Sequence, residues 1–86
     1  MDYSMSMEQL KLARHAIGLP NSSQTANRNS FVCGPGRDND LWRGMVKDGF
    51  ATIVENVSWM GGMDLFRLTE KGINKALCPQ ESRGDL

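Results

Sequence analysis

Few groups in this chain have the types and spacing that chemistry requires. His15 is the single histidine, and the position four residues on is the apolar Leu19. A metal ion needs three or four donors, so His15 reads as a surface or half-packed side chain. Cys33 and Cys78 are the two cysteines. Neither belongs to a C-x-x-C pair, and they are too few for a disulfide framework or a zinc site. Two reduced thiols in a cytosolic protein are the expectation. Cys33 precedes a glycine and could sit at a loop tip, but its only candidate base, His15, belongs to another element. A Cys–His nucleophile is therefore not expected. Asp38 and Asp40 form a close acidic pair that helix capping explains without acid–base work. The "GPG" at 34–36 has neither the GxGxxG spacing nor the GK[ST] ending of a phosphate cradle, so it reads as a turn. The expectation is a non-enzymatic protein with no metal and no cofactor.

Composition narrows the remaining classes. The 86 residues suit one domain with a small core, and 40% hydrophobic residues argue against wholesale disorder. The 10 Lys and Arg balance the 10 Asp and Glu, whereas nucleic-acid binders draw affinity from an excess of cations. Only locally, over residues 28–47, do Arg28, Arg37, Arg43 and Lys47 outnumber Asp38 and Asp40. No apolar run reaches the roughly 18 residues of a membrane span, and "MDYSMSMEQ" lacks the basic start and apolar middle of a secretion signal. A cytoplasmic protein is expected.

The elements that must position these residues follow from periodicity. "SMEQLKLARHAIGLP" predicts a helix over 6–18: Ser6 and Gln9 form a capping box, and Met7, Leu10, Ala13 and Ile17 share a face. Gly18 can take the left-handed cap and Pro20 blocks continuation. Residues 19–37, with the polar "PNSSQTANRNS", predict a loop or short helix. A second helix over 38–48 is capped by Asp38 or Asp40 and carries a stripe of Leu41, Trp42, Met45 and Val46. Gly44 within it costs about 1 kcal/mol against Ala and suggests close approach of another backbone. "FATIVENV" and "DLFRL", joined by the glycine turn "SWMGGM", predict a two-stranded hairpin over 50–68. Thr69 then caps a helix over 69–77, and 78–86 reads as a frayed tail. The class is α+β, in a single domain over 1–86.

The succession of "LWRGMVKDGF", a hairpin and "FRLTEKGINKAL" over residues 38–77 resembles the winged helix of multiple-antibiotic-resistance-type regulators. That resemblance implies a winged-helix-like domain whose hairpin is the wing. It also implies that 40–48 would lie in a DNA major groove and 58–63 would touch the minor groove or backbone. Over about residues 8–77, the order "EQLKLARHAIGLPN", "RNSFVCGPG", "W…MV…GFA" and "GG.DLFRLTEKG" is similar to a group of small phage- and prophage-encoded proteins of unassigned function. It implies a mobile-element origin.

Two surfaces compete for the functional role. For DNA, the groove-facing candidates are Arg28, Arg37, Asn39, Arg43 and Lys47, since Arg, Lys and Asn read base edges. Asp38, Asp40 and Asp48 would meet phosphate unfavourably, and Arg43 and Lys47 read more readily as a solvated stripe. At the wing, Trp59, Met60 and Met63 stand where such regulators more often carry Arg or Lys. Either they fold back on the core, or they present an apolar knob to a partner, with Trp59 as anchor and the methionines as an adaptable rim. The leading expectation is a phage or mobile-element accessory protein that binds a host protein or ribonucleoprotein complex. Inhibition of a host defence system, in the manner of an anti-CRISPR protein, is the activity such an origin suggests. Its contact residues would be Trp59, Met60, Met63, Arg37, Arg43 and Lys47. The alternative is a small winged-helix transcriptional regulator.

Overall fold

The computed structural model describes residues 4–86. Helix α1 spans Met7–Ala16, strand β1 Phe31–Cys33, helix α2 Arg37–Lys47, strand β2 Ala51–Val57, strand β3 Met63–Leu68 and helix α3 Glu70–Ala76, with a short 3-10 turn at Ser58–Met60 between β2 and β3. The class is α+β, as the sequence predicts. The sheet differs from expectation: it has three antiparallel strands in the order β1-β3-β2. The predicted hairpin forms its β2–β3 part, and β1 comes from the segment read as loop or short helix. Three residues are too few to display a period, so β1 exists by pairing with β3 rather than by local preference.

The start of α1 follows its sequence signal closely. Ser6 accepts from the Gln9 backbone N–H and the Gln9 side chain accepts from the Ser6 N–H, satisfying orphan donors at both positions. Gly18 adopts φ +84° just past the helix, the left-handed geometry that favours glycine. Thr69 caps α3, its hydroxyl accepting from the Gly72 N–H at 3.2 Å. At α2 the expected aspartate cap is not made. The helix begins one residue earlier, Gly36 occupies the cap position, and no side chain bonds there. Asp38 and Asp40 instead lie in the first turn, where the helix dipole favours anions. Gly44 is also corrected: an added Cβ would meet the Gln9 side chain at 3.0 Å, not a backbone. That Gln9 amide donates to Leu41 O at 3.1 Å and ties α1 to α2.

The inner face of the sheet carries the core. Trp42 of α2 stacks on Phe66 of β3 at 5.4 Å between centroids and tilts against Phe31 of β1 at 5.4 Å. Ala13, Ala16 and Ile17 of α1 and its exit, Met45, Phe50, Leu68, Ile73 and Ala76 complete the buried cluster. The C-terminal segment is a second correction. Residues 78–86 are not a frayed tail but a strap. The Arg14 guanidinium grips the Glu81 carboxylate with two hydrogen bonds, the longer at 2.7 Å. Ser82 and Thr25 form a parallel bridge, Arg83 pairs with Glu70, and Leu86 packs on the core. The polarity of "CPQESRGDL" predicted detachment, yet Glu81 and Arg83 find specific partners elsewhere in the chain.

Candidate interaction surface

Strand alternation divides the sheet into two faces. In β3, Phe66 and Leu68 point to the core, so Met63, Leu65 and Arg67 point away from it. The register sets Val32 of β1 and Val54 of β2 on either side of Leu65, and it pairs Val57 with Met63 and Thr52 with Arg67. Leu65 and Val57 are buried, yet they stand outside the inner core cluster. They are the centre of a second, outward apolar group. Its rim is open: Val32 keeps 37% of its surface, Met63 44% and Val54 53%.

Trp59 stands in the 3-10 turn at the end of the same hairpin and is 78% exposed. Of the two alternatives for the wing, Trp59 therefore adopts the outward one and is no part of the core. Met60 is half-buried and Met63 exposed. Of the apolar residues expected at the wing, Met63 shares the outward face with Val32, Val54, Leu65 and Arg67, which were not anticipated. The signal was present in "MDLFRL", where alternation assigns Met63, Leu65 and Arg67 to one face. The contribution of Val32 depends on β1, which the sequence does not announce.

Most of the expected DNA-facing residues already have partners within the chain. Asn39 is buried. Its amide donates to Asp64 Oδ2 at 2.8 Å, and its carbonyl accepts from Arg43 Nε at 2.7 Å. Arg43 also reaches Asp64 at 2.9 Å and Glu55 at 3.6 Å. Arg37 is held by Glu8 of α1, and Arg28 donates to the His15 carbonyl at 2.9 Å. Lys47 is exposed near the end of α2. Arg43 and Lys47 are both exposed, and Arg43 in addition bridges helix and hairpin.

Asp64 is the centre of that bridge. Besides Asn39 and Arg43 it accepts from the Asn56 N–H at 2.9 Å. Asn56 has φ +55° in the bulge that shifts the register between Val54 and Val57. Hydrogen bonding from Asn39, then from the Asn56 backbone, holds the Asp64 carboxyl below its ordinary pKa. Asp64 therefore joins α2 to the base of the β2–β3 hairpin, and its bonds favour the carboxylate form. The Cys33 thiol is shifted upward, chiefly by burial, which suppresses the thiolate that a nucleophile requires. Its sulfur lies beside the Asn39 amide at 3.9 Å, while His15 stands edge-on to Phe31 at 5.8 Å. Among the described residues no three His, Cys, Asp or Glu side chains converge on a metal-sized site, and no helix is long and apolar enough to cross a membrane.

The surface that results is an apolar sheet face with an exposed indole at the hairpin end and one arginine, backed by a helix whose Asn39 and Arg43 are bonded to Asp64. Comparison of the chain with protein-family models, with curated proteins and with solved structures found no match.

Proposed function

We propose that this chain is a non-catalytic protein-interaction module that docks on a protein through its open sheet face and wing tip. The observation that carries the reading is the row Val32, Leu65 and Val54, continued by Met63 on the same face, with Trp59 exposed at the end of the hairpin. Scattered apolar residues on a surface are ordinary, whereas a contiguous group on one sheet face marks a contact region. The likeness to small phage-encoded proteins extends the proposal. The partner is a host protein or ribonucleoprotein complex in the cytoplasm, and the consequence of binding is inhibition, as in anti-CRISPR proteins. The scaffold reading is winged-helix-like: a wing hairpin follows α2, and β1 closes the sheet on its other side.

The DNA-binding alternative has less support. A groove-reading helix needs free donors, and Asn39 and Arg43 of α2 are bonded to Asp64 and to each other. Weak DNA binding that disappears at physiological salt is expected from the remaining cations. A sequence-selective gel shift at about 150 mM salt would overturn the proposal.

Trp59→Ala tests the docking surface directly. Its circular dichroism and thermal midpoint should match the parent, because the exposed indole supports no core. Retention of the host partner should fall by about thirtyfold in affinity, the loss of an aromatic anchor. A folded Trp59→Ala protein with full partner binding would remove the wing from the interface.

A further inference from the structure

The open sheet face has a direction. Along β3 the outward side chains run Met63, Leu65, Arg67, so the apolar group passes into a single cation about 7 Å beyond Leu65. Thr52 lies across from Arg67 on β2, and both are exposed. Among the described residues no carboxylate pairs with Arg67. Of the hairpin carboxylates, Asp64 bonds Asn39 and Arg43, and Glu55 pairs with Arg43 at 3.6 Å.

Resting on the docking reading above, we infer that the occupant of this face is an acidic amphipathic segment of another protein, seated with apolar side chains over Leu65 between Val32 and Val54 and a carboxylate against Arg67. Charge complementarity selects this occupant. A second copy laid face to face would bring its own Arg67 and no carboxylate, since the face is otherwise Val32, Thr52, Val54, Val57, Met63 and Leu65. A second copy would leave Arg67 without a counter-charge, whereas a carboxylate on the visiting segment forms a charge-assisted bidentate pair with the guanidinium. The apolar rim excludes water around that pair and strengthens it relative to an exposed ion pair. The apolar row supplies affinity, and Arg67 sets which segments fit and in which direction.

The test uses the full chain and two synthetic amphipathic helical peptides. They are identical except for Glu or Lys at the residue that follows the apolar stripe. Methyl NMR of Val32, Val54 and Leu65 reports the site, and titration gives the affinities. The Glu peptide should shift these methyls and bind about tenfold tighter than the Lys peptide, an order that Arg67→Glu reverses. Val54→Asp, folded by circular dichroism, should bind neither.

Equal affinity for both peptides, with the methyls shifted, overturns the role of Arg67 while leaving a protein-docking face. Failure of both peptides at millimolar concentration overturns the docking face itself. Concentration-dependent self-association that Val54→Asp abolishes would assign the face to a second copy. A blue shift of tryptophan emission on phosphatidylcholine vesicles, without peptide binding, would assign it to a lipid surface; either result overturns the inference.

Discussion

Asp64 shows how one side chain changes the meaning of others. Asn39 and Arg43 have the chemistry of base readers, but Asp64 accepts from both and also from the Asn56 backbone. Removing it leaves a buried Asn39 amide without its best acceptor, a more costly defect than loss of an exposed pair. Asp64→Ala should therefore lower the thermal midpoint clearly more than Arg37→Ala, which breaks only the surface pair with Glu8. Equal midpoints would show that Asp64 does not join α2 to the β2–β3 hairpin. Leu68 gives the apolar counterpart. It is 5% exposed and ends β3 on the inner face, so Leu68→Ala should cost about 2–5 kcal/mol in a denaturant titration. Lys71→Ala, which removes a cation poised over the Phe50 ring at 4.8 Å, should cost about 1 kcal/mol or less. Similar losses for the two would mean that the inner face of β3 is misassigned.

Among the elements, α3 is held by an approach that tolerates no side chain. A Cβ on Gly72 would stand 1.9 Å from Phe50 O, the same carbonyl that accepts from the Thr69 N–H at 2.9 Å. The strand-to-helix joint and the turn before β2 thus share one contact. Gly72→Ala must separate them, and overpacking of this kind costs about 1–3 kcal/mol or more. Gly34→Ala, with nothing within 4 Å of the added carbon, should be nearly silent by comparison. Equal thermal midpoints for these variants would mean that α3 does not lie on the Phe50 backbone. The wing behaves differently: its bulge at Asn56 and its 3-10 turn depart from regular pairing, which bends an edge strand and limits indiscriminate sheet extension.

For the whole molecule, the C-terminal strap closes the structure around α1 and the 18–30 segment. Glu81 is its charged link, its side chain only 4% exposed. The hydrogen bonds from Arg14, then from the Cys78 N–H, lower its pKa from 4.5 to about 2. A carboxyl depressed on folding stabilises the native state above its unfolded pKa, and this contribution disappears as pH falls through the folded one. The thermal midpoint should therefore decline between about pH 5 and about pH 2, with Asp64 and Glu70 contributing in the same direction. Glu81→Gln should be less stable at neutral pH and show a shallower acid decline. An unchanged acid slope would mean that the strap is not held by this pair. Deleting 78–86 should likewise destabilise the domain, because it uncovers Ala26 and leaves Arg14 half-buried without its carboxylate.

The sequence by itself determined the elements whose signals are local. The Ser6–Gln9 box, the left-handed Gly18, the Thr69 cap and the strand pattern of "FATIVENV" and "DLFRL" each involve groups a few residues apart, so their energetics are legible in a short window. Tertiary structure decided everything that depends on a distant partner. Residues 31–33 are a strand because β3 offers an edge, and 78–86 is ordered because Arg14, Thr25 and Glu70 await it. The candidate site divides along the same line. Trp59 and Met63 could be suspected from a hairpin tip that leaves little domain to bury into. The bonding of Asn39 and Arg43 to Asp64 could not be read, because it depends on a residue from another element. Nor could the apolar row: Val32 and Val54 meet across Leu65 only when three separated segments take one register, and long-range pairing leaves no period in any one of them.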